Sequence, residues 1–325
     1  MALKPFFNHG PIRWGIIGCG NVTEVKSGPP YQMTKDFELT MVMRRDAKKA
    51  EDYAQRHGVT QWTTDAAEII ENPNIDAVYI ATPPNTHKFY GLQVAKVGKP
   101  CCIEKPMAPS YADSLEIYDA FEPTNIPLFI AYYRRSLPRF NKIKEWLDNK
   151  LIGEVRHINW LKTRNASAVD VSGEYNWRTD AKIAPGGYFD DLASHGLDLF
   201  TYLLGEIDKA KGVASNQQGL YSSFDTISGA WLHKSGVTGS GSWNFGSQKP
   251  MDKVQILGSE GEIRFSVLHE EPIELIIENN HESLVMAHPK HLHEYHVENM
   301  RKHLFGEAAH PSTGKNRIAH QLGDG

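Results

Sequence analysis

The feature that most constrains this chain is an alternation running from residue 13 to residue 131, in which short β-branched or apolar runs are each followed by a helical pattern. The pattern predicts six strands, at Arg13 to Ile17, Phe37 to Met43, Thr60 to Thr63, Ala77 to Ile80, Cys101 to Glu104 and Leu128 to Ala131. Helices are predicted at Ala47 to His57, Ala66 to Glu71, Thr86 to Val97 and Tyr111 to Phe121, with Gly58 and Gly98 where C-cap glycines belong. Such alternation marks βαβ units wound on a parallel sheet. The C-terminal strand ends of such a sheet face the ligand crevice, so charged residues there are placed for chemistry.

Beyond about Thr124 the texture changes. A helix at Pro138 to Asn149 leads through Gly153 into strand patterns at Glu154 to Thr163, Lys211 to Asn216, Thr226 to His233, Val237 to Asn244, Lys253 to Leu257, Glu262 to Val267 and Ile273 to Ile277. Many alternate polar with apolar residues between short turns, which predicts a largely antiparallel sheet with one face buried. Helices are expected at Phe189 to Leu204 and His291 to Phe305. The length of 325 residues exceeds what one core usually holds. Two domains are therefore expected, residues 1–124 and 125–325.

The formal charge of -4 offers no general attraction to nucleic acid or to anionic lipid. No apolar stretch approaches the ~20 residues needed to cross a bilayer, and Met1 to Gly10 lacks a signal-type apolar run. Neither a nucleic-acid nor a membrane partner is expected, and a cytoplasmic location is. The cysteines, Cys19, Cys101 and Cys102, are odd in number with two adjacent, which suits reduced packing residues better than disulfides.

Gly15-Ile16-Ile17-Gly18-Cys19-Gly20-Asn21-Val22-Thr23 places a G-x-G at the end of the first strand. Gly18 allows a tight turn and Gly20 the approach of a pyrophosphate, while Asn21 and Val22 open a helix with free N–H groups. Thr23 stands where the third glycine of the dinucleotide fingerprint belongs, and a bare G-x-G is also a simple turn. Its place at the head of the βαβ series favours an α/β N-terminal Rossmann domain, ahead of an α+β domain with a large, mostly antiparallel open sheet. After the second strand come Arg44, Arg45 and Asp46. An acid at this tip binds a ribose 2′-hydroxyl, whereas arginine suits a 2′-phosphate, so NADP is preferred to NAD. The alternative is a solvated helix start capped by Asp46, and both can hold together. Ala81, Thr82, Pro83, Asn85 and His87 end the fourth strand at the same sheet edge, as a ligand-facing loop or a helix cap.

One βαβ unit later stands Glu104-Lys105-Pro106, and far downstream Pro185-Gly186-Gly187-Tyr188-Phe189-Asp190-Asp191-Leu192-Ala193-Ser194-His195-Gly196-Leu197-Asp198. With the G-x-G and the Ala-Thr-Pro strand end, these segments resemble the Gfo/Idh/MocA family of glucose-fructose oxidoreductases, inositol dehydrogenases and related sugar dehydrogenases. The resemblance implies that Lys105, Asp191 and His195 line the nicotinamide face of a substrate site, with Glu104 beside the coenzyme. Asp191, His195 and Asp198 lie at i, i+4 and i+7 and share one helix face, an ordinary surface pairing when read alone. Arg164, Trp177 and Arg178, with Trp160 and Tyr175, are candidates for a sugar pocket, since aromatic faces stack on pyranose rings and arginine bonds hydroxyls. Core or edge packing is their alternative. His288, His291, His293, His296 and His303 invite a zinc reading, but nothing completes a four-ligand set. No metal is expected.

The expected chemistry is hydride transfer between nicotinamide C4 and a secondary alcohol or ketone of a sugar, cyclitol or related polyol. His195 is the expected general acid/base, and Lys105 orients the same oxygen or donates the proton itself. Asp191 is expected to hold His195 or a substrate hydroxyl. The rivals are a nucleotide-binding regulator without turnover and an oxidoreductase that keeps and recycles its NADP. The resemblance implies a homodimer or homotetramer. The ending Gln321-Leu322-Gly323-Asp324-Gly325 departs from the longer helical ending expected of the family.

Overall fold

The fold was taken from a computed structural model, which describes residues 3–314; the Gln321–Gly325 ending lies outside them. In chain order the first elements are β1 (Ile12–Ile17), α1 (Asn21–Val25), α2 (Pro30–Met33), β2 (Phe37–Met43), α3 (Ala47–His57), β3 (Gln61–Thr63), α4 (Ala67–Ile70), β4 (Ala77–Ile80), α5 (His87–Lys96), β5 (Cys101–Ile103), α6 (Tyr111–Phe121) and β6 (Leu128–Ile130). Then follow α7 (Pro138–Asp148), β7 (Val155–Thr163), α8 (Ala168–Ser172), α9 (Tyr188–Leu204), β8 (Ile207–Ser215), β9 (Thr226–His233), β10 (Thr238–Asn244), β11 (Met251–Gly258), β12 (Glu262–Phe265), β13 (Ile273–Ile277), β14 (Asn280–Leu284) and α10 (Glu294–Leu304).

The first unit holds a six-stranded sheet in the order β3-β2-β1-β4-β5-β6, parallel throughout. This is the doubly wound order, with its reversal between β1 and β4. Successive side chains enter opposite cores. Ile17, Val78, Ile80 and Ile103 meet Ile69, Val94 and Ile117 on one face, while Ile16, Val42, Tyr79 and Cys102 meet Val297, Met300 and Leu304 on the other. Burial on both faces is why these strands read as continuous apolar runs.

The predicted boundary after residue 124 is corrected. The first unit extends through Leu137 and the chain returns to it from His288, so α10 belongs to the first unit and not the second. Three of its apolar side chains, Val297, Met300 and Leu304, are fully buried, each a contribution of about 1.5–3 kcal/mol by transfer from water. Periodicity shows that a helix has an apolar face but not which sheet that face meets.

The second unit is built on an eight-stranded sheet, ordered β14-β13-β12-β11-β7-β10-β9-β8. Its pairs are antiparallel except β7 with β10. Ile158, Trp160, Trp243, Val254 and Ile256 alternate inward, where Phe200 of α9 meets Trp160 and Phe140 of α7 meets Phe265. Two elements go beyond the sequence expectation. The polar β14 pairs at the sheet edge, where no apolar alternation is required, and the short α8 is closed by a Ser167–Asp170 capping box.

Candidate active site

The turn after β1 is fixed by sterics. Gly18 has φ +94°, and a Cβ there would come within 2.6 Å of the Thr82 side chain and 2.9 Å of the Thr82 nitrogen. The N–H groups of Gly18 and Cys19 both donate to Met43 O, at 2.9 and 3.0 Å, which ties the turn to the tip of β2. Gly20 is different, because its backbone is extended and a Cβ would meet nothing nearer than 3.9 Å. The space above it is open to a ligand. Thr23, in place of the third glycine, is buried; its Oγ1 accepts from Gly20 N–H and donates to Gly20 O, both at 2.9 Å. The backbone N–H groups of Asn21 and Val22 have no acceptor among the described residues, so the cradle fits a pyrophosphate.

Met43 leads into half-buried Arg44 and exposed Arg45, neither in an ion pair among the described residues. Asp46 does cap α3, accepting from Lys49 N–H at 3.2 Å. Cys19 is buried, and its thiol is pushed up to about 11 by loss of solvent, against the opposing charge of Arg44. Burial and a raised pKa suit a packing thiol.

Along the same edge, the β4 and β5 ends are joined. Thr86 Oγ1 donates to Pro83 O at 2.8 Å, while Ala81, Thr82, Pro83 and Asn85 remain accessible. His87 is fully buried, with Nε2 2.8 Å from Thr82 O and Nδ1 2.9 Å from Pro106 O. Its ring therefore lies between the carbonyls of two loops, donating to one of them when neutral, instead of facing a coenzyme, as sequence had suggested. Burial holds its pKa below the ordinary histidine value. Glu104 likewise turns inward, where Oε1 accepts from Tyr79 Oη at 2.6 Å and Oε2 from Lys105 N–H at 3.1 Å. Of the charged pair, Lys105 keeps the more accessible position.

In the second unit, Gly187 begins α9 at φ +62°, where a Cβ would sit 2.6 Å from Phe224 O. Gly186 N–H donates to Asp190 Oδ2 at 2.8 Å, so Asp190 closes the turn ahead of Asp191 and His195. Asp191 accepts from Arg178, whose Nε donates to Oδ2 at 2.9 Å while its guanidinium covers the Trp177 ring at 4.4 Å. Arg164 lies over the Tyr188 ring at 4.2 Å and 3.8 Å from Asp170, and Asn176 Nδ2 donates to Tyr188 Oη at 3.0 Å. Arg164, Trp177, Arg178 and Asp191 thus form one polar belt around the start of α9. Trp160 is not in it, being fully buried under the helix, and Tyr175 is largely exposed.

Sequence reasoning missed what seats His195. Its neighbour Gly196 lies against Trp160, where a Cβ would fall 2.3 Å from the ring, and Trp160 is held by donation to Asp252 Oδ1 at 2.8 Å. The glycine following the histidine was the available signal. The zinc candidates pack within the first unit: His291 Nδ1 meets Val25 O, the His293 ring lies tilted over Tyr133 and edge-on to His296, His296 faces Cys102, and His303 meets Phe129 edge-on. Among the described residues no three His, Cys, Asp or Glu side chains converge to hold a metal, and no helix is long and apolar enough to cross a membrane.

Comparison with known proteins agrees with this layout. A family model described as the oxidoreductase family with NAD-binding Rossmann fold matches residues 12–132, and one for the GFO/IDH/MocA C-terminal domain matches residues 140–264. Oxidoreductase P35 of Formosa agariphila is 44% identical over 257 residues, 78% of this chain and 79% of that one. The levoglucosan dehydrogenase of Pseudarthrobacter phenanthrenivorans is 30% identical over 175 residues, 54% of this chain and 45% of that one. Among solved structures, the WlbA dehydrogenase from Bordetella pertussis, in complex with NADH and UDP-GlcNAcA, superposes with a TM-score of 0.84 at 19% identity, covering 97% of this chain and 93% of that chain. With both of its parts matched and the glycine turn, Lys105 and the Asp191–His195 helix in the expected elements, this chain belongs to the Gfo/Idh/MocA family of oxidoreductases.

Proposed function

We propose that this enzyme interconverts a secondary alcohol and a ketone on a sugar, cyclitol or related polyol, using NADP in preference to NAD. One observation carries the reading: the ligand-shaped turn at Gly18–Val22 is linked through Thr82 and His87 to the loop that bears Lys105, all on one edge of the parallel sheet. The names of relatives such as levoglucosan dehydrogenase support the substrate class.

Asn21 and Val22 would hold the pyrophosphate, Arg44 and Arg45 a 2′-phosphate, and Ala81, Thr82, Pro83 and Asn85 would border the rest of the coenzyme. When bound, nicotinamide supplies the hydride chemistry. The protein's part is to hold the substrate oxygen and move its proton. The Lys105 ammonium donates to that oxygen and stabilises developing alkoxide charge. His195 accepts the hydroxyl proton in oxidation and returns it in reduction. Asp191, braced by Arg178, holds a neighbouring hydroxyl or His195, and Trp177 and Arg164 border the substrate. The family resemblance extends the proposal to a homodimer or homotetramer through the uncovered face of the eight-stranded sheet, where Val213 and Leu257 are exposed.

The test is a panel of sugars, polyols and their keto forms with both coenzymes, followed by Lys105→Met and His195→Ala on the best substrate. Each variant is expected to bind coenzyme nearly normally and to lose about a hundredfold or more in kcat. The double variant should lose little more than either single one. Wild-type turnover in one variant removes that residue from the mechanism; wild-type turnover in both favours a different site. No turnover of any panel member by folded, coenzyme-binding protein favours a regulator.

A further inference from the structure

We propose that Tyr79 and His87 are positioning residues that fix Lys105 through the residues on either side of it; the proposal rests on the reading of Lys105 as the substrate-facing lysine. The Glu104 N–H still donates to Ile80 O at 2.9 Å at the end of β4, and residues 105 and 106 then leave the sheet beyond the last strand pairing. Two buried polar side chains set their path instead. Tyr79, in the middle of β4 and fully buried, donates through Oη to Glu104 Oε1 at 2.6 Å, and the other oxygen of that carboxylate accepts from the Lys105 N–H at 3.1 Å. On the far side, His87, the first residue of α5, has Nδ1 2.9 Å from Pro106 O and Nε2 2.8 Å from Thr82 O; a neutral ring carries one N–H, and in its Nδ1–H tautomer it donates to Pro106 O.

The placement of these groups is not what packing alone would select. Tyr79 lies among Trp14, Tyr31 and Ile16, with its ring stacked on Tyr31 at 5.0 Å, so phenylalanine would fill the same apolar space. A buried hydroxyl or imidazole is costly unless bonded. Here their bonds converge on the residues directly before and after Lys105. The buried His293 ring adds Nε2 at 3.7 Å from Glu104 Oε1. A carboxylate held by two donors in a nearly closed site has one favoured orientation, and the Lys105 backbone inherits it. Displacing a reacting group by an ångström can cost about a hundredfold in rate, so such a brace acts on turnover more than on coenzyme affinity.

The experiment compares Tyr79→Phe, His87→Ala and Lys105→Met, using whichever of myo-inositol, levoglucosan and D-glucose is turned over fastest. Tyr79→Phe and His87→Ala are each expected to lower kcat about tenfold, with coenzyme Kd and substrate KM within twofold of wild type. His87→Gln, which keeps one N–H donor, should recover part of the loss. If Tyr79→Phe does not fold, Glu104→Gln asks the same question, since its amide keeps an acceptor for Tyr79 but turns an N–H toward the Lys105 nitrogen. A substrate-independent readout is reductive methylation of Lys105, expected to change at least threefold in Tyr79→Phe while that of surface Lys142 does not. Wild-type kcat and Lys105 reactivity in both Tyr79→Phe and His87→Ala, or losses matched by equal losses of coenzyme binding, overturn the brace. If Lys105→Met is inactive while both brace variants are normal, only the brace falls. If Lys105→Met turns over normally, the Lys105 reading falls and the brace with it.

Discussion

The two units place the proposed site residues by different means. In the first, topology does the placing: parallel strands bring their C-terminal ends to one edge, so Gly18, Thr82 and Lys105 collect there although 87 residues separate the first from the last. In the second, an antiparallel sheet gathers no such edge, and Asp191 and His195 come from a helix seated against that sheet. The contrast shows that a parallel sheet supplies a site through its connectivity, whereas an antiparallel sheet supplies a platform whose chemistry depends on how closely a helix can approach.

That contrast is most exposed at two glycines. Gly18→Ala puts a side chain at φ +94° and against the Thr82 backbone, so a stability loss of about 2–4 kcal/mol and at least a hundredfold weaker coenzyme binding are expected. Gly196→Ala drives a methyl into Trp160, whose ring is anchored to Asp252, at about 1–3 kcal/mol. Here kcat should fall while coenzyme affinity holds. Calorimetry and coenzyme titration of both variants would collapse the comparison if Gly196→Ala weakened the coenzyme as much as Gly18→Ala.

A smaller effect sharpens the account of the parallel edge. With Arg44 and Arg45 following β2, NADP should bind about tenfold tighter than NAD, roughly 1.4 kcal/mol, and Arg44→Ala should erase most of the difference. A tenfold preference for NAD in the wild type would mean that the arginines face solvent.

The smallest expected effect concerns Glu24 in α1, which accepts from Arg56 at 2.7 and 2.9 Å and meets His57 at 2.8 Å. The Arg56 hydrogen bonds hold its carboxyl down at about 2, below its ordinary 4.5. A lowered folded-state pKa means that the unfolded chain takes up the proton first as acid is added. The stabilisation is thus complete above about pH 4.5 and disappears as pH falls toward 2. Glu24→Gln should lower Tm at pH 7 by no more than about 2 °C, the group being half exposed with its partner, and by nothing at pH 2. An equal Tm difference at both pH values would locate the effect elsewhere.

The sequence by itself determined the elements and their order, because periodicity and turn chemistry are local. Phe37–Met43, Ala47–His57, Ala77–Ile80 and Tyr111–Phe121 fall where their patterns predict them, and Gly18, Lys105, Asp191 and His195 stand at the predicted strand ends and helix. Tertiary structure alone decided how residues distant in sequence were used. The apolar stripe of α10 specified a helix but not its docking on the first sheet, since hydrophobic burial has no direction and accepts any complementary face. Glu104 and His87 read as ligand-facing groups because they flank the motif, yet both turn inward, each committed to polar contacts with residues brought close only by folding: Tyr79 for Glu104, Pro106 and Thr82 for His87. The histidines near the C-terminus read as a cluster along the chain. Folding leaves the His293 and His296 rings in contact, 5.8 Å between centroids, and supplies packing partners that the chain order does not show: Tyr133 for His293, Cys102 for His296 and Phe129 for His303.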